Sequence, residues 1–263
     1  ENDIFVAELE KRNITFVGPS STTIRVLGDK IEAAELTERI KLNVPRTATV
    51  TYNEDGTMAN EQEMLDFSED VGYPVLIKYS GGGGGRGQRP VYMASEMWRS
   101  IDDVGIEVQP GFNQSERGRN LKDKVFVMKY LPDCFHLEVQ FICDGDTFAH
   151  MLGRDCSVQR RKQKLIEESP IPGIPEATMQ RMIDDTRKIV INDVCQYKGV
   201  GTAEFLLDRK TGETYFLEVN PRLQVEHIIS EHMFNANLPS IQVQIALGKK
   251  LHEIDMGKYN GLH

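Results

Sequence analysis

The sequence predicts an α+β fold, with strand runs and helix runs mixed along the chain instead of a doubly wound parallel sheet. The first observation is the stretch Glu213-Thr-Tyr-Phe-Leu-Glu-Val-Asn-Pro-Arg-Leu-Gln-Val-Glu-His227. Tyr215, Phe216 and Leu217 are good β formers, and Lys210-Thr-Gly-Glu213 reads as a hairpin turn ahead of them. Gly201 to Leu207 supplies the other strand of that hairpin. The second observation is a succession of strands at Val125–Met128, His136–Ile142 and Phe148–Leu152. The third is an amphipathic helix over 176–195, with Met179, Met182, Ile183, Ile189 and Val190 inward.

The remaining elements follow in order. Residues 1–12 read as a helix with Phe5, Leu9 and Ala7 on one side. Ile14-Thr-Phe-Val17 reads as a short strand, stopped by Gly18-Pro19. A helix from about Ser21 to Leu42 follows, with Gly28-Asp29-Lys30 inside it. Pro45 to Val50 is extended, and 60–71 is an acidic helix. Tyr73-Pro-Val-Leu-Ile-Lys78 is an apolar strand ending in a glycine run, and Pro90-Val-Tyr-Met93 after it looks like strand. Residues 101–124 read as a helix plus loop, and Pro170-Ile-Pro-Gly-Ile-Pro175 as a rigid connector. Leu238 to Gly248 is a helix that starts around Pro239.

At 263 residues the chain has room for one large domain or two small ones. A formal charge of −9 argues against general binding to nucleic acid or acidic membranes, while leaving room for a local basic pocket. No apolar run of about 18 residues is present to span a membrane. Glu1 is not an initiator and no signal-peptide pattern follows it, so the chain reads as a piece of something longer. Cys134, Cys143, Cys156 and Cys195 lack zinc-ligand spacing. Scattered thiols suggest a reducing compartment, cytoplasmic or mitochondrial.

Four stretches carry chemistry. Beyond Leu217 one parity holds Val219, Pro221, Leu223 and Val225, and the other holds Glu218, Asn220, Arg222, Gln224 and Glu226. This is either a half-buried strand with a wet face or a set that binds a metal and an anion. Pro221 removes a ladder donor, so the chain must leave the sheet there. Ser80-Gly-Gly-Gly-Gly-Gly-Arg-Gly87 is either a plain loop or a backbone cradle for phosphates that moves as a lid, and Lys78 points a cation the same way. Arg154 to Lys164 carries five cations in eleven positions, a solvated face or an anion pocket. Glu204, within Thr-Ala-Glu-Phe-Leu-Leu, is a surface residue or shares a metal with Glu218 across the hairpin.

These pieces in this order resemble the ATP-grasp superfamily, and within it the biotin carboxylase family, over essentially the whole chain. The resemblance rests on Gly28-Asp-Lys30, Gly72-Tyr-Pro-Val-Leu-Ile-Lys78 with the glycine run, His136-Leu-Glu-Val-Gln140, Arg154-Asp-Cys-Ser-Val-Gln-Arg-Arg161 with Gln163-Lys164, Gly201-Thr-Ala-Glu-Phe205 and Glu218-Val-Asn-Pro-Arg-Leu-Gln-Val-Glu-His227. The last two are the specific ones. Phe126-Val-Met-Lys129, Gly153-Arg-Asp-Cys156 and Asn237 to Gly248 look most like large multidomain acetyl-CoA carboxylases. The sequence departs from the family at Lys162, where a histidine is usual, at Met128 for glutamate and at Ile228 for proline. It has no match to the family's first nucleotide-fold segment or to the last segment, which carries a biotin-steadying arginine.

The resemblance implies an ATP-grasp fold with a glycine-rich lid subdomain packed over a larger mixed or antiparallel sheet domain. Its divisions would be 1–17, the end of a nucleotide-fold domain; 18–44, a helical linker; 45–130, the lid subdomain; and 131–263, the catalytic subdomain. ATP would sit between lid and sheet. Its contacts would be Lys30, Lys78, Gly82, Gly83, Gly84, Gly85, Met128, Lys129, Leu131, His136, Gln159, Lys162 and Leu206. Glu204, Glu218 and Asn220 would hold Mg²⁺ or Mn²⁺. Arg222, Lys164, Gln224 and the backbone of Val225 would bind bicarbonate, with Glu226 as the base and Arg222 and Lys164 holding the developing charge. The implied reaction is ATP- and bicarbonate-dependent carboxylation of biotin through carboxyphosphate. The implied partners are a biotin carboxyl carrier domain and a carboxyltransferase domain, in an oligomeric parent of fatty acid synthesis. Rival readings are another ATP-grasp ligase, the corresponding part of a propionyl-CoA, methylcrotonyl-CoA or pyruvate carboxylase, and a degenerate ATP-binding module.

Overall fold

The computed structural model describes residues 2–28, 30–53, 55, 57–79, 87–108, 125–160 and 163–257, leaving aside the side chains of Lys30 and Ile31. Its helices are α1 (Asp3–Lys11), α2 (Ser21–Gly28), α3 (Lys30–Arg39), α4 (Glu61–Val71), α5 (Met97–Val108), α6 (Glu176–Val190), α7 (His227–Phe234) and α8 (Leu238–Ala246). Its strands are β1 (Thr47–Thr49), β2 (Val75–Tyr79), β3 (Gln88–Val91), β4 (Val125–Lys129), β5 (Cys134–Asp144), β6 (Phe148–Arg160), β7 (Gln163–Glu168), β8 (Lys198–Asp208) and β9 (Thr214–Asn220). They group into a larger unit, Glu1–Val44 with Asp133–Val158 and Lys164–His263, and a smaller one, Pro45–Pro132 with Gln159–Gln163.

The smaller unit holds an antiparallel sheet ordered β1-β4-β2-β3. Strand alternation gives it two different faces. Val75, Ile77, Val125 and Val127 turn to one side, into a cluster with Met64 of α4 and Met97, Ile101 and Val104 of α5. Met97, Ile101 and Val104 recur at helical spacing, which is why α5 buries one stripe. Leu76 pairs with Met128 and Lys78 with Phe126 on the opposite face.

The larger unit is built on an antiparallel sheet ordered β7-β6-β5-β8-β9. Leu137, Val139, Phe141 and Cys143 of β5 face one side and pack with Met182, Ile183, Ile189 and Val190 of α6. That helix has the inward residues expected of it, with Met179 partly buried at the edge. The other face changes character along its length. Ile142 and Val200 lie under Leu238, Ile241 and Ile245 of α8. Asn237 starts that helix by accepting from Ser240 N at 2.7 Å, and Pro239 sits in its first turn. Further along, the same face becomes polar.

Gly201 marks where β8 must run close to its neighbours. A Cβ there would meet Phe141 Cζ at 2.5 Å, Tyr197 Oη at 2.8 Å and the Asn220 carbonyl at 3.1 Å. Phe141 and Tyr197 already pack edge to face, and both are fully buried. Gly201→Ala is expected to cost about 1–3 kcal/mol by overpacking. Urea unfolding measures this, and a loss under about 0.5 kcal/mol would mean that the aromatic pair yields freely.

Several sequence expectations are corrected. Ile14–Val17 is not a strand, because no strand lies beside it among the described residues. In α1 Val6 is the buried residue and Phe5 is largely exposed. Of the helix expected over 21–42, the described residues form α2 up to Gly28 and α3 from Lys30 to Arg39, so it ends three residues earlier than expected; Asp29 lies outside the described residues. Helix α7 was not anticipated, since His227–Phe234 lacks a clear amphipathic stripe. Strand β6 runs on past Leu152 to Arg160 and β7 starts at Gln163, so most of the cationic run is strand.

Candidate active site

The polar face of the larger sheet is set by register. Glu138 of β5 pairs with Arg154 of β6 on one side and with Glu204 of β8 on the other. Glu204 in turn lies opposite Glu218 of β9. Directly opposed residues share a face, so Arg154, Glu138, Glu204 and Glu218 form one row across four strands. The next positions along, Gln140, Thr202 and Asn220, also pair strand to strand.

A bulge makes this row. Glu204 pairs with Glu218 but Phe205 pairs with Phe216, leaving Leu217 as an extra residue in β9. Phe216 and Val219 are both in the core, although they are three apart. In a regular strand Glu218 would point the same way as Phe216, into that core. The bulge turns Glu218 out to join Glu204.

Glu204 is the best-connected of the expected metal ligands. Its Oε2 lies 2.7 Å from His136 Nε2, and its Oε1 accepts from Asn220 Nδ2 at 2.8 Å and Lys164 Nζ at 3.1 Å. Burial alone would raise this carboxyl. The hydrogen bond and charge of His136, with the Lys164 ammonium, hold it down at about 2. It is therefore ionised at neutral pH. Glu218 is more exposed, and Asn220 is half-buried. Two carboxylates and an amide oxygen on one face are hard donors, and they suit Mg²⁺.

Lys164 is the hub. Its Nζ donates to Glu138 Oε2 at 2.6 Å, to Glu204 at 3.1 Å and to Glu226 Oε1 at 3.3 Å. Burial opposes its charge, but the Glu138 and Glu204 carboxylates outweigh burial and raise its pKa. Glu226 thus meets Lys164 in an ion pair. Glu226 stands at the N-cap of α7 but makes no capping hydrogen bond.

The strand alternation does not continue beyond Pro221, because β9 ends at Asn220. Arg222 is exposed, with Nη1 3.5 Å from the Leu223 carbonyl. Gln224 is buried and Val225 is 87% exposed. The structure thus brings Lys164, Glu204, Asn220, His136 and Glu226 together, with Glu218 beside them in the row. Leu206 pairs with His136 one step along the same face. In the smaller unit, Lys78 and Met128 share the face away from α4 and α5. Lys129 donates instead to the Gly72 carbonyl at 2.8 Å. Leu131 and Gln159 are half-buried. Gly82, Gly83, Gly84, Gly85 and Lys162 lie outside the described residues, as does the side chain of Lys30.

Sequence reasoning passed over Glu138, Gln140, Arg154, Glu167 and Ser230. Arg154 was grouped with a cationic run read as an anion pocket. It is instead fully buried, and its fork is already occupied. Its Nε donates to Glu138 Oε1 at 2.5 Å, and its Nη1 to Gln140 Oε1 at 3.0 Å and Ser230 Oγ at 2.8 Å. The available signal was the alternation of Glu138 and Gln140 with Leu137, Val139 and Phe141, the pattern of a face that holds polar groups inside.

The family model of the carbamoyl-phosphate synthase L chain ATP-binding domain matches residues 29–254. Biotin carboxylase of Pseudomonas aeruginosa is 39% identical over 252 residues, 95% of this chain and 52% of that protein. The Campylobacter jejuni biotin carboxylase β,γ-ATP complex matches with a TM-score of 0.83 and 33% identity, over 99% of this chain and 55% of that one. The biotin carboxylase domain of Hydrogenobacter thermophilus 2-oxoglutarate carboxylase, in complex with MgADP, ADP and bicarbonate, matches with a TM-score of 0.82 and 29% identity, over 99% of this chain and 54% of that one. The chain spans about half the length of these proteins. The α+β expectation holds, and the architecture is that of the biotin carboxylase ATP-grasp structures.

Proposed function

This chain belongs to the family of the carbamoyl-phosphate synthase L chain ATP-binding domain, and from that premise we propose that it is the ATP-using, bicarbonate-activating part of a biotin carboxylase. The observation that carries the reading is the carboxylate row Glu138, Glu204 and Glu218 with Lys164 at its centre.

Glu204, Glu218 and Asn220 would hold Mg²⁺, or Mn²⁺, through oxygen donors. Such an ion supplies charge neutralisation on transferring phosphate. Lys164 and Arg222 bind bicarbonate, with the Gln224 amide and the Val225 backbone beside them. Arg222 offers a planar fork that matches a carboxylate-like anion. Glu226 accepts the bicarbonate proton, and the bicarbonate oxygen attacks the γ-phosphorus of ATP to give carboxyphosphate and ADP. The carboxyl–phosphate bond then breaks, the carboxyl carbon bonds to the ureido nitrogen of biotin on a carrier domain, and inorganic phosphate leaves with that nitrogen's proton. His136 and Leu206 are nucleotide contacts on this unit, and Lys78 and Met128 on the smaller one.

The parent is proposed to be an acyl-CoA carboxylase in a reducing compartment, acetyl-CoA carboxylase by the Phe126–Lys129 and Asn237–Gly248 stretches. One structure this chain resembles is the biotin carboxylase domain of a 2-oxoglutarate carboxylase, so a parent with another acceptor is the rival reading.

The test is Mg-ATP hydrolysis by the protein carrying this chain, with and without bicarbonate. Bicarbonate should stimulate phosphate release, and Glu218→Gln should weaken Mg-ATP use at every bicarbonate concentration. Hydrolysis indifferent to bicarbonate would point to another ATP-grasp ligase, and no nucleotide binding at all to a degenerate module.

A further inference from the structure

One buried carboxyl in this site has no task in the reaction above. Glu167 on β7 is 9% exposed at its side chain, and its Oε2 has no hydrogen-bond partner among the described residues. The nearest cation is Arg154, whose Nε lies 3.5 Å away and is directed to Glu138. Oxygens of Glu167 and Glu138 and the Cys156 sulfur lie within 4.8 Å of one another. That spacing would admit a metal ion. Arg154 and Lys164 already supply the positive charge there, so a metal ion would meet cations.

Charge counting says what Glu167 does instead. Arg154 and Lys164 are matched by Glu138, Glu204 and Glu226. An ionised Glu167 would be a fourth carboxylate beside Arg154 and Lys164, with His136 already paired to Glu204 and no hydrogen bond to the Glu167 Oε2 among the described residues. The groups facing it are Glu138 from β5, Arg154 and Cys156 from β6, Lys164 from its own strand and Glu226 from the start of α7. Burial holds the Cys156 thiol neutral, so it adds no charge.

We propose that Glu167 is a positioning residue that carries a proton, and that losing this proton weakens the hold of Lys164 on an anion. The proposal rests on the bicarbonate role given to Lys164. Burial first, then the charges of Glu138 and Glu226, push the Glu167 carboxyl up to about 7. The neutral form therefore prevails in mildly acid solution and the charged form in mildly basic solution. With Glu167 charged, Lys164 faces more negative charge and attracts bicarbonate less.

Two measurements on Glu167→Gln, in the protein carrying this chain, test this. Gln mimics the protonated form. The first measurement is thermal unfolding at pH 5 and pH 8.5. A carboxyl raised in the folded state contributes stability below its unfolded value, and that contribution is lost as pH rises through about 7. The variant should therefore gain Tm relative to wild type at pH 8.5 compared with pH 5, by about 2–4 °C. The second is the KM for bicarbonate between pH 6.5 and 8.5, at fixed bicarbonate concentrations. It should rise about threefold to tenfold in wild type relative to the variant. Equal Tm differences at the two pH values would overturn the proposal at Glu167 itself. A pH-dependent Tm difference with parallel KM profiles would overturn the link to Lys164. A pH-dependent Tm difference with no bicarbonate effect on either protein would overturn the biotin carboxylase reading, and the anion role with it.

Discussion

Glu226→Gln should leave ATP affinity nearly unchanged while bicarbonate-dependent turnover falls by about two to four orders of magnitude, the usual scale for losing a positioned base. The structure makes this a clean test. Glu226 is one of three carboxylates around Lys164, and its 3.3 Å contact is the longest of them. Removing its charge leaves Lys164 paired with Glu138 and Glu204. Glu226 also makes no capping hydrogen bond to α7, so no cap is lost. Stability should therefore change by less than about 1 kcal/mol. Steady-state kinetics with nucleotide titration and thermal unfolding separate the two roles. Loss of nucleotide binding or stability in proportion to activity would make the residue structural, and the base would lie elsewhere.

Arg154→Met should cost about 3–5 kcal/mol of folding stability, the scale for removing one partner of a buried ion pair. Arg154 and Glu138 are both fully buried, and the guanidinium also holds Gln140 and Ser230. Without it Glu138 keeps only Lys164, and two buried polar groups lose a donor. Arg154→Met combined with Glu138→Gln should recover part of the loss, because the uncompensated charge is gone. Lysine at position 154 should fall between, since it restores charge without the fork. Urea unfolding of the single and double variants measures the coupling. A cost below about 1 kcal/mol for Arg154→Met would mean that the cluster relaxes or admits solvent.

Arg154 has a second consequence. Ser230 stands one turn into α7, the helix that begins at Glu226. The guanidinium therefore joins the strand that presents Glu138 to Lys164 with the helix that presents Glu226. The geometry of the proposed base is held by a residue that a sequence reading assigns to an anion pocket.

Much of the fold was legible because periodicity is local. Met182, Ile183, Ile189 and Val190 recur at helical spacing, and α6 buries them. Pro221 cannot donate to a ladder, and β9 stops at Asn220. The hairpin from β8 to β9 follows from two β-forming runs around Lys210–Glu213. Ile14–Val17 misled for the converse reason. Strand composition is only half of a strand, and the other half is a neighbour.

By itself, then, the chain's order of residues determined which groups stand on strands and which chemistry they could bring. Glu204, Glu218, Asn220, Lys164 and Glu226 were visible as carboxylates, amide and cation in β-patterned surroundings. Which of them meet was decided only by tertiary structure. Register across β6, β5, β8 and β9 set Arg154 against Glu138, and Glu138 against Glu204. One bulged residue, Leu217, turned Glu218 from the core to the site. Side-chain direction in a strand has a period of two, so a single inserted residue inverts it, and long-range pairing alone places that residue.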